Sequence, residues 1–133
     1  MAKEKIICDT DVMIDFFDHA QPRHAETKTV LEQYIGIDNT LISSVTKMEM
    51  ILGAANKPDL LAIEKKLNRF NIILLTPDIN LQAIHLIRSY RLSHGLALAD
   101  TLIAATALET SPKLFTYNTR DFKFIKNLVL FKK

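Results

Sequence analysis

A single cysteine, Cys8, stands in the whole chain, so no internal disulfide framework is available and a reducing compartment suits the protein. Only 3 Gly and 4 Pro occur, which excludes low-complexity sequence and any long disordered stretch. No apolar run approaches the roughly 20 residues that a membrane span requires. The charged opening Met1-Ala2-Lys3-Glu4-Lys5, followed only by Ile6-Ile7-Cys8 before an Asp, is no signal-peptide core. A soluble, cytoplasmic protein is expected. Charge of one sign is also scarce: 17 basic against 15 acidic residues leave +2, which does not by itself argue for nucleic acid. If several acids gather in one pocket, however, the remaining surface is more basic than the total suggests.

What the chain does have is 48% hydrophobic residues over 133 positions, enough to build the core of one domain over 1–133. Short apolar runs at Lys5-Ile6-Ile7-Cys8, Leu41-Ile42-Ser43, Ile72-Ile73-Leu74-Leu75, Leu114-Phe115-Thr116-Tyr117 and Leu128-Val129-Leu130-Phe131 read as strands. Helical spacing follows Asp11 and runs from His24 to Ile35, from Thr46 to Ala55, after Pro58, after Asp78 and from Ala99 to Leu108. A short helix is expected around Phe122 to Ile125. Strands alternating with helices, without a tight hairpin signal, predict an α/β fold: three layers around a mostly parallel sheet of about five strands. No internal repeat or linker interrupts it.

In an open parallel sheet, sites form beyond the carboxyl ends of the strands. Asp9 and Asp11 follow the first strand, Glu49 lies one helical turn beyond the second, and Asp121 comes a few residues after Leu114–Tyr117. Asp100 stands near the start of the apolar helix. Each acid alone has an ordinary explanation. Asp9 or Asp11 reads equally well as a helix cap. Thr46-Lys47-Met48-Glu49 matches a capping box, the better reading of Glu49 taken singly. Asp121 suits a helix start, where its charge favours the dipole. Asp100 resists such treatment, because its helical neighbours Leu96, Ala97, Ile103 and Ala104 are all apolar. An ionised carboxylate there costs several kcal/mol unless a cation or a set of donors compensates it.

Acids converging on one cleft repel unless a divalent cation neutralises them or some are protonated. Hard oxygen ligands favour Mg²⁺ or Mn²⁺, which keep waters and bind phosphate oxygens. Such a site suits phosphodiester hydrolysis. No His/Cys cluster at zinc spacing competes with it.

Four segments resemble the PIN domain, and more narrowly the VapC-like toxin ribonucleases of type II toxin–antitoxin systems. They are Ile6-Ile7-Cys8-Asp9-Thr10-Asp11-Val12-Met13-Ile14-Asp15, Ile42-Ser43-Ser44-Val45-Thr46-Lys47-Met48-Glu49, Leu96-Ala97-Leu98-Ala99-Asp100-Thr101-Leu102-Ile103-Ala104-Ala105-Thr106-Ala107 and Phe115-Thr116-Tyr117-Asn118-Thr119-Arg120-Asp121-Phe122. Their order and spacing agree with that family across essentially the whole chain. The resemblance implies a PIN-like fold and an acidic quartet of Asp9, Glu49, Asp100 and Asp121 that is catalytic and binds Mg²⁺ or Mn²⁺. It implies endonucleolytic cleavage of RNA, a homodimer, and a cognate antitoxin that blocks the pocket. Asp11 stands where many relatives carry Asn or Ser, so it is either a further ligand or an acceptor beside the ligands. Asn118 and Thr119 are expected to orient the site or contact phosphate. Arg120 is the first choice among Arg88, Arg91, His94, Arg120, Lys123 and Lys126 to hold the RNA backbone.

The four histidines lack ligand spacing, and Cys8 in its apolar strand is expected to be a packed, inert thiol. Phe16, Phe17 and Tyr34 read as core before they read as a partner surface. Two other functions remain open at this point. One is a haloacid-dehalogenase-type phosphatase using Asp9 and Asp11 as nucleophile and acid/base pair, although no convincing phosphate-binding Lys accompanies them. The other is a catalytically inactive PIN fold serving as a binding module.

Overall fold

The computed structural model describes residues 4–133. The first three residues of the charged opening lie outside the described part. Apolar runs at Ile6–Cys8 (β1), Thr40–Ser43 (β2), Asn71–Ile73 (β3) and Lys113–Phe115 (β4) form one sheet in the order β3-β2-β1-β4. Every neighbouring pair is parallel, with Ile6 opposite Thr40 and Lys113, and Ile42 opposite Ile72. The connections are helical: Thr10–Phe17 (α1), His24–Thr29 (α2), Ser44–Leu52 (α3), Lys57–Leu67 (α4), Pro77–His94 (α5) and Leu98–Thr110 (α6).

The strands alternate their side chains between two apolar layers. Ile6 and Cys8 face a cluster with Val12, Met13 and Phe16 of α1, Val30, Leu31 and Phe70. Ile7 and Leu114 face the opposite cluster with Ile79, Ala83 and Leu86 of α5 and Ile103, Ala104 and Ala107 of α6. This is the expected three-layer α/β/α arrangement. Phe16 is core, Phe17 is half-buried against it and Tyr34 is exposed. Among the described residues, no helix is long and apolar enough to cross a membrane.

Three local expectations need correction. The sheet has four strands among the described residues, not about five. Leu128–Phe131 reaches β4 at one bridge only, Leu130 beside Leu114, after a left-handed turn at Asn127 (φ 71°). Its Leu128, Leu130 and Phe131 pack on the two core clusters, so its apolar character comes from packing rather than from a ladder. The helix expected over His24–Ile35 widens into π-helical geometry over Val30–Ile35, where Gly36 N donates to Leu31 O at 2.9 Å. The short helix expected near Phe122 is a single tight turn at Thr119–Asp121.

The strand order fixes where a site can open. From β1 the chain moves outward through β2 to β3, then returns to the other flank of β1 as β4. Connections leave β1 and β4 in opposite directions, and a crevice opens beyond their carboxyl ends.

Candidate metal centre

Asp9 leaves β1 at that crevice and is buried, 4% exposed. Its backbone N–H donates to Phe115 O at 2.9 Å, tying it to β4. It is the N-cap of α1, yet it does not cap in the usual way. Oδ1 accepts from the adjacent Thr10 N–H at 2.8 Å, and Oδ2 accepts from the Thr116 hydroxyl at 2.8 Å. The cap reading and the site reading of Asp9 therefore coexist. Asp11 is held by two backbone donors instead, Val12 N at 2.7 Å and Tyr117 N at 3.0 Å. It fastens the segment after β4 to the start of α1.

Glu49 is no capping-box residue. Helix α3 starts at Ser44, with Ser43 as its cap accepting from Val45 N at 3.1 Å. Thr46 is already inside the helix and fully buried. Glu49 Oε1 accepts the Thr10 hydroxyl proton at 2.6 Å, and the Thr46 hydroxyl lies 3.0 Å from the same Thr10 oxygen. The carboxylate is thereby held against the start of α1.

Asp100 lies in the first turn of α6, whose N-cap Ala97 offers no side-chain acceptor. Among the described residues, no donor hydrogen-bonds the Asp100 carboxylate, so capping does not explain it. Asp121 sits in the turn after β4 and is exposed. The two acids line one cavity of about 350 Å³ with His94, Arg120 and Phe124. Asp121 and Arg120 also line an adjoining cavity of about 330 Å³ with Asn118 and Thr119. The three residues expected to touch substrate thus stand together. Of the other basic candidates, Arg91 is committed elsewhere, donating to Gly95 O at 3.0 Å and Leu96 O at 3.2 Å.

The acids sense one another. Burial and the Asp11 charge raise the Asp9 carboxyl to about 7, against the pull of the Thr116 and Thr10 hydrogen bonds, with Asp100 adding to the rise. Burial, then the charges of Asp121, Glu49 and Asp11, raise Asp100 to about 6. Asp11 is also raised, chiefly by burial, although hydrogen bonds from Tyr117 and Val12, an interaction with Asp9 and the Arg23 charge favour its anion. Cys8 is fully buried, packed as expected, and burial, then Asp11 and Asp9, push its thiol far above its ordinary range.

Arg23 offsets part of the Asp11 charge, and Arg120 lines the cavity that Asp100 and Asp121 share. Among the described residues, the ion pairs are Arg23 with Asp15 at 2.8 Å and Lys113 with Glu4 at 3.3 Å, and neither includes a site acid. Nor, among the described residues, are three acidic, His or Cys side chains already closed to ligand distances. Asp100 and Asp121 border the open cavity while Asp9 is buried, and the carboxylate donors are all hard oxygens, which suits Mg²⁺ or Mn²⁺ with part of its water shell retained.

Sequence reasoning missed the positioning hydroxyls of Thr10 and Thr116. Their polar character was visible, but their partners lie 39 and 107 positions away.

Comparison with known proteins places these features in a family. The PIN domain model matches residues 6–127. Ribonuclease VapC19 of Mycobacterium tuberculosis is 29% identical over 123 residues, spanning 92% of this chain and 95% of that protein. A toxin-antitoxin complex from Klebsiella pneumoniae contains a chain that superposes with a TM-score of 0.75 at 33% identity, covering 94% of this chain and 96% of its own. FitAcB from Neisseria gonorrhoeae gives a TM-score of 0.70 at 25% identity, covering 96% of both chains. With the four acid-bearing segments all inside the matched span, this chain belongs to the PIN domain family.

Proposed function

We propose that this chain is an endoribonuclease that hydrolyses RNA phosphodiester bonds with Mg²⁺ or Mn²⁺ held by Asp9, Glu49, Asp100 and Asp121, and that it is the toxin of a toxin–antitoxin pair. The observation that carries the reading is the half-buried Asp100 carboxylate, which shares one cavity with Asp121, feels the charges of Asp121, Glu49 and Asp11, and joins no ion pair among the described residues. Kinship with a ribonuclease and with a toxin-antitoxin complex supports the substrate class and the partner.

The chemistry a divalent ion supplies there is neutralisation of the charge that accumulates on phosphate, together with acidification of water for attack. The protein's own residues do the rest. Thr116 and the Thr10 N–H fix the Asp9 oxygens, and the Thr10 hydroxyl fixes Glu49. Asp11 holds the start of the Tyr117–Asp121 segment in place. Arg120, exposed beside Asp121, is the cation for the RNA backbone, with Asn118 and Thr119 as neutral contacts.

An antitoxin that covers the crevice silences the enzyme, and a homodimer is its working form. The dimer reading is supported by an exposed apolar stripe on α5, where Leu81, Ile84 and Leu92 are 65%, 56% and 101% exposed. One domain over 1–133, working in the cytoplasm, completes the proposal. The phosphatase alternative falls away with membership of the PIN family, and the inactive-module alternative is disfavoured by the presence of all four acids.

The test is cleavage of end-labelled RNA by the wild type and Asp100→Asn, each with Mg²⁺ or Mn²⁺ and with EDTA. Internal cuts made only by the wild type with metal are expected. Equal cleavage by both proteins, or cleavage undiminished by EDTA, overturns the reading.

A further inference from the structure

Beside the acids lies a group of rings that metal binding does not use. His94, the last residue of α5, stacks on Phe124 with ring centroids 4.1 Å apart and planes inclined by 13°. Tyr90, one turn earlier, braces Phe124 from 5.2 Å at 58°. The chain holds both ends of this stack. The Tyr90 hydroxyl accepts from Lys126 N at 3.1 Å, and Ser93 Oγ lies 2.8 Å from His94 Nδ1. Tyr90 and Phe124 pack on the core between α5 and α6, so burial accounts for them. Burial does not account for His94, whose ring is exposed. One of its flat faces rests on Phe124, Tyr90 meets the ring edge-on at 5.9 Å and 71°, and the residue as a whole stays exposed to solvent.

The position of the stack gives it a use. His94 and Phe124 line the same cavity of about 350 Å³ as Asp100, Arg120 and Asp121. That volume falls within the ~300–1,000 Å³ typical of small-ligand sites. Gly95, left-handed at φ 67°, keeps the wall next to His94 free of a side chain, and nothing lies within 4 Å of where a Cβ would be. Arg120 and Asp121 also border the adjoining cavity with Asn118 and Thr119. A single strand crossing from one cavity to the other passes a phosphate by Arg120 and Asp121 and lays the neighbouring base beside the rings. Aromatic and imidazole faces are what single-stranded RNA uses for stacking, because every base has a flat face to offer.

We propose that the His94–Phe124 stack is a nucleobase subsite that takes the base flanking the cleaved phosphate of single-stranded RNA. The proposal rests on the ribonuclease reading of the acids. The subsite recognises a flat ring by stacking, so it positions the strand without choosing strongly among the four bases.

The probes are short oligoribonucleotides in which one abasic ribose is moved stepwise across the cleavage site. For the wild type, one flanking position should raise KM about tenfold when its base is missing, with kcat little changed. His94→Ala should show that higher KM on intact RNA and no further loss on the abasic strand, while His94→Phe restores the wild-type value. A His94→Ala protein with wild-type KM, or an abasic scan with no sensitive position, overturns the subsite. Binding of intact RNA by fluorescence anisotropy separates the two readings. His94→Ala added to Asp100→Asn should weaken Kd about tenfold although neither protein cuts. If the wild type cuts nothing, the ribonuclease reading fails. An unchanged Kd in the double variant overturns the subsite whatever the cleavage result.

Discussion

Thr10 and Glu49, on different helices and 39 positions apart, share a hydrogen bond of 2.6 Å. The hydroxyl of α1 thereby orients a carboxylate of α3 across the crevice. Thr10→Val keeps the shape and removes the donor. Cleavage should fall about tenfold while the melting temperature moves by no more than a few degrees. In a Glu49→Gln background the same change should cost little more, since the pair acts as a unit. Additive losses, measured as kcat/KM for the two single variants and the double, would falsify the coupling.

Asp100 is the point at which the other acids' charges meet. Asp100→Asn removes that repulsion with almost no change in volume. RNA cleavage should drop at least a hundredfold and growth inhibition on expression should vanish. The metal-free protein should melt no lower than the wild type. A variant that loses activity because it unfolds would be seen by circular dichroism and would defeat the assignment.

The raised carboxyls of Asp9 and Asp100 give the metal-free protein a pH signature. Both lie above their ordinary value of 3.8, near 7 and 6. Between those values the folded state binds more protons than the unfolded chain, so stability falls as pH rises. The contribution is complete below about pH 4 and is lost as the pH climbs through 6 to 7. In EDTA, the urea midpoint should be lower at pH 8 than at pH 5.5, and Asp9→Asn combined with Asp100→Asn should flatten the difference. A midpoint that climbs over this range in the wild type and not in the variant contradicts it.

At the proposed site, metal and protons would compete for the same oxygens. Mn²⁺ or Mg²⁺ at a hundred times its Kd should raise the melting temperature by roughly 8 °C at pH 8. The shift should shrink towards pH 5.5, where Asp9 and Asp100 are increasingly protonated. Differential scanning fluorimetry across a metal titration reads this directly, and the absence of any shift at saturating metal counts against the quartet.

Ser43 is the residue that caps α3. Ser43→Ala should cost about 1 kcal/mol in chemical denaturation, the ordinary worth of a cap. Moving the helix start also lets Glu49 drift, so cleavage should weaken alongside stability. A change without effect on either would show that the cap at residue 43 is dispensable.

The layered fold was legible because β1, β2 and β4 are short β-branched or apolar runs that each end at a polar residue, and because Pro58, Thr76-Pro77 and Gly95 punctuate the helices. The acids were legible for the same reason, since strand ends in a parallel sheet share an edge. Glu49 was harder. Thr46 and Glu49 satisfy the capping-box spacing, and only the structure shows Ser43 starting the helix three residues sooner. Leu128–Phe131 misled in the other direction, because apolar residues fill a core as readily as they form a ladder. The Thr10, Thr116 and Tyr117 contacts stayed hidden because their spacing belongs to the tertiary fold and to no local period.

The pairing of β1 with β4 joins the beginning of the chain to its final quarter. Asp9 gains its Thr116 donor only when that pairing closes. During synthesis, a ribosome-bound fragment ending before residue 113 has Asp9 but neither β4 nor Asp121. Such a fragment lacks part of the proposed quartet and the hydroxyl that holds Asp9, so the site can assemble only after β4 has been made.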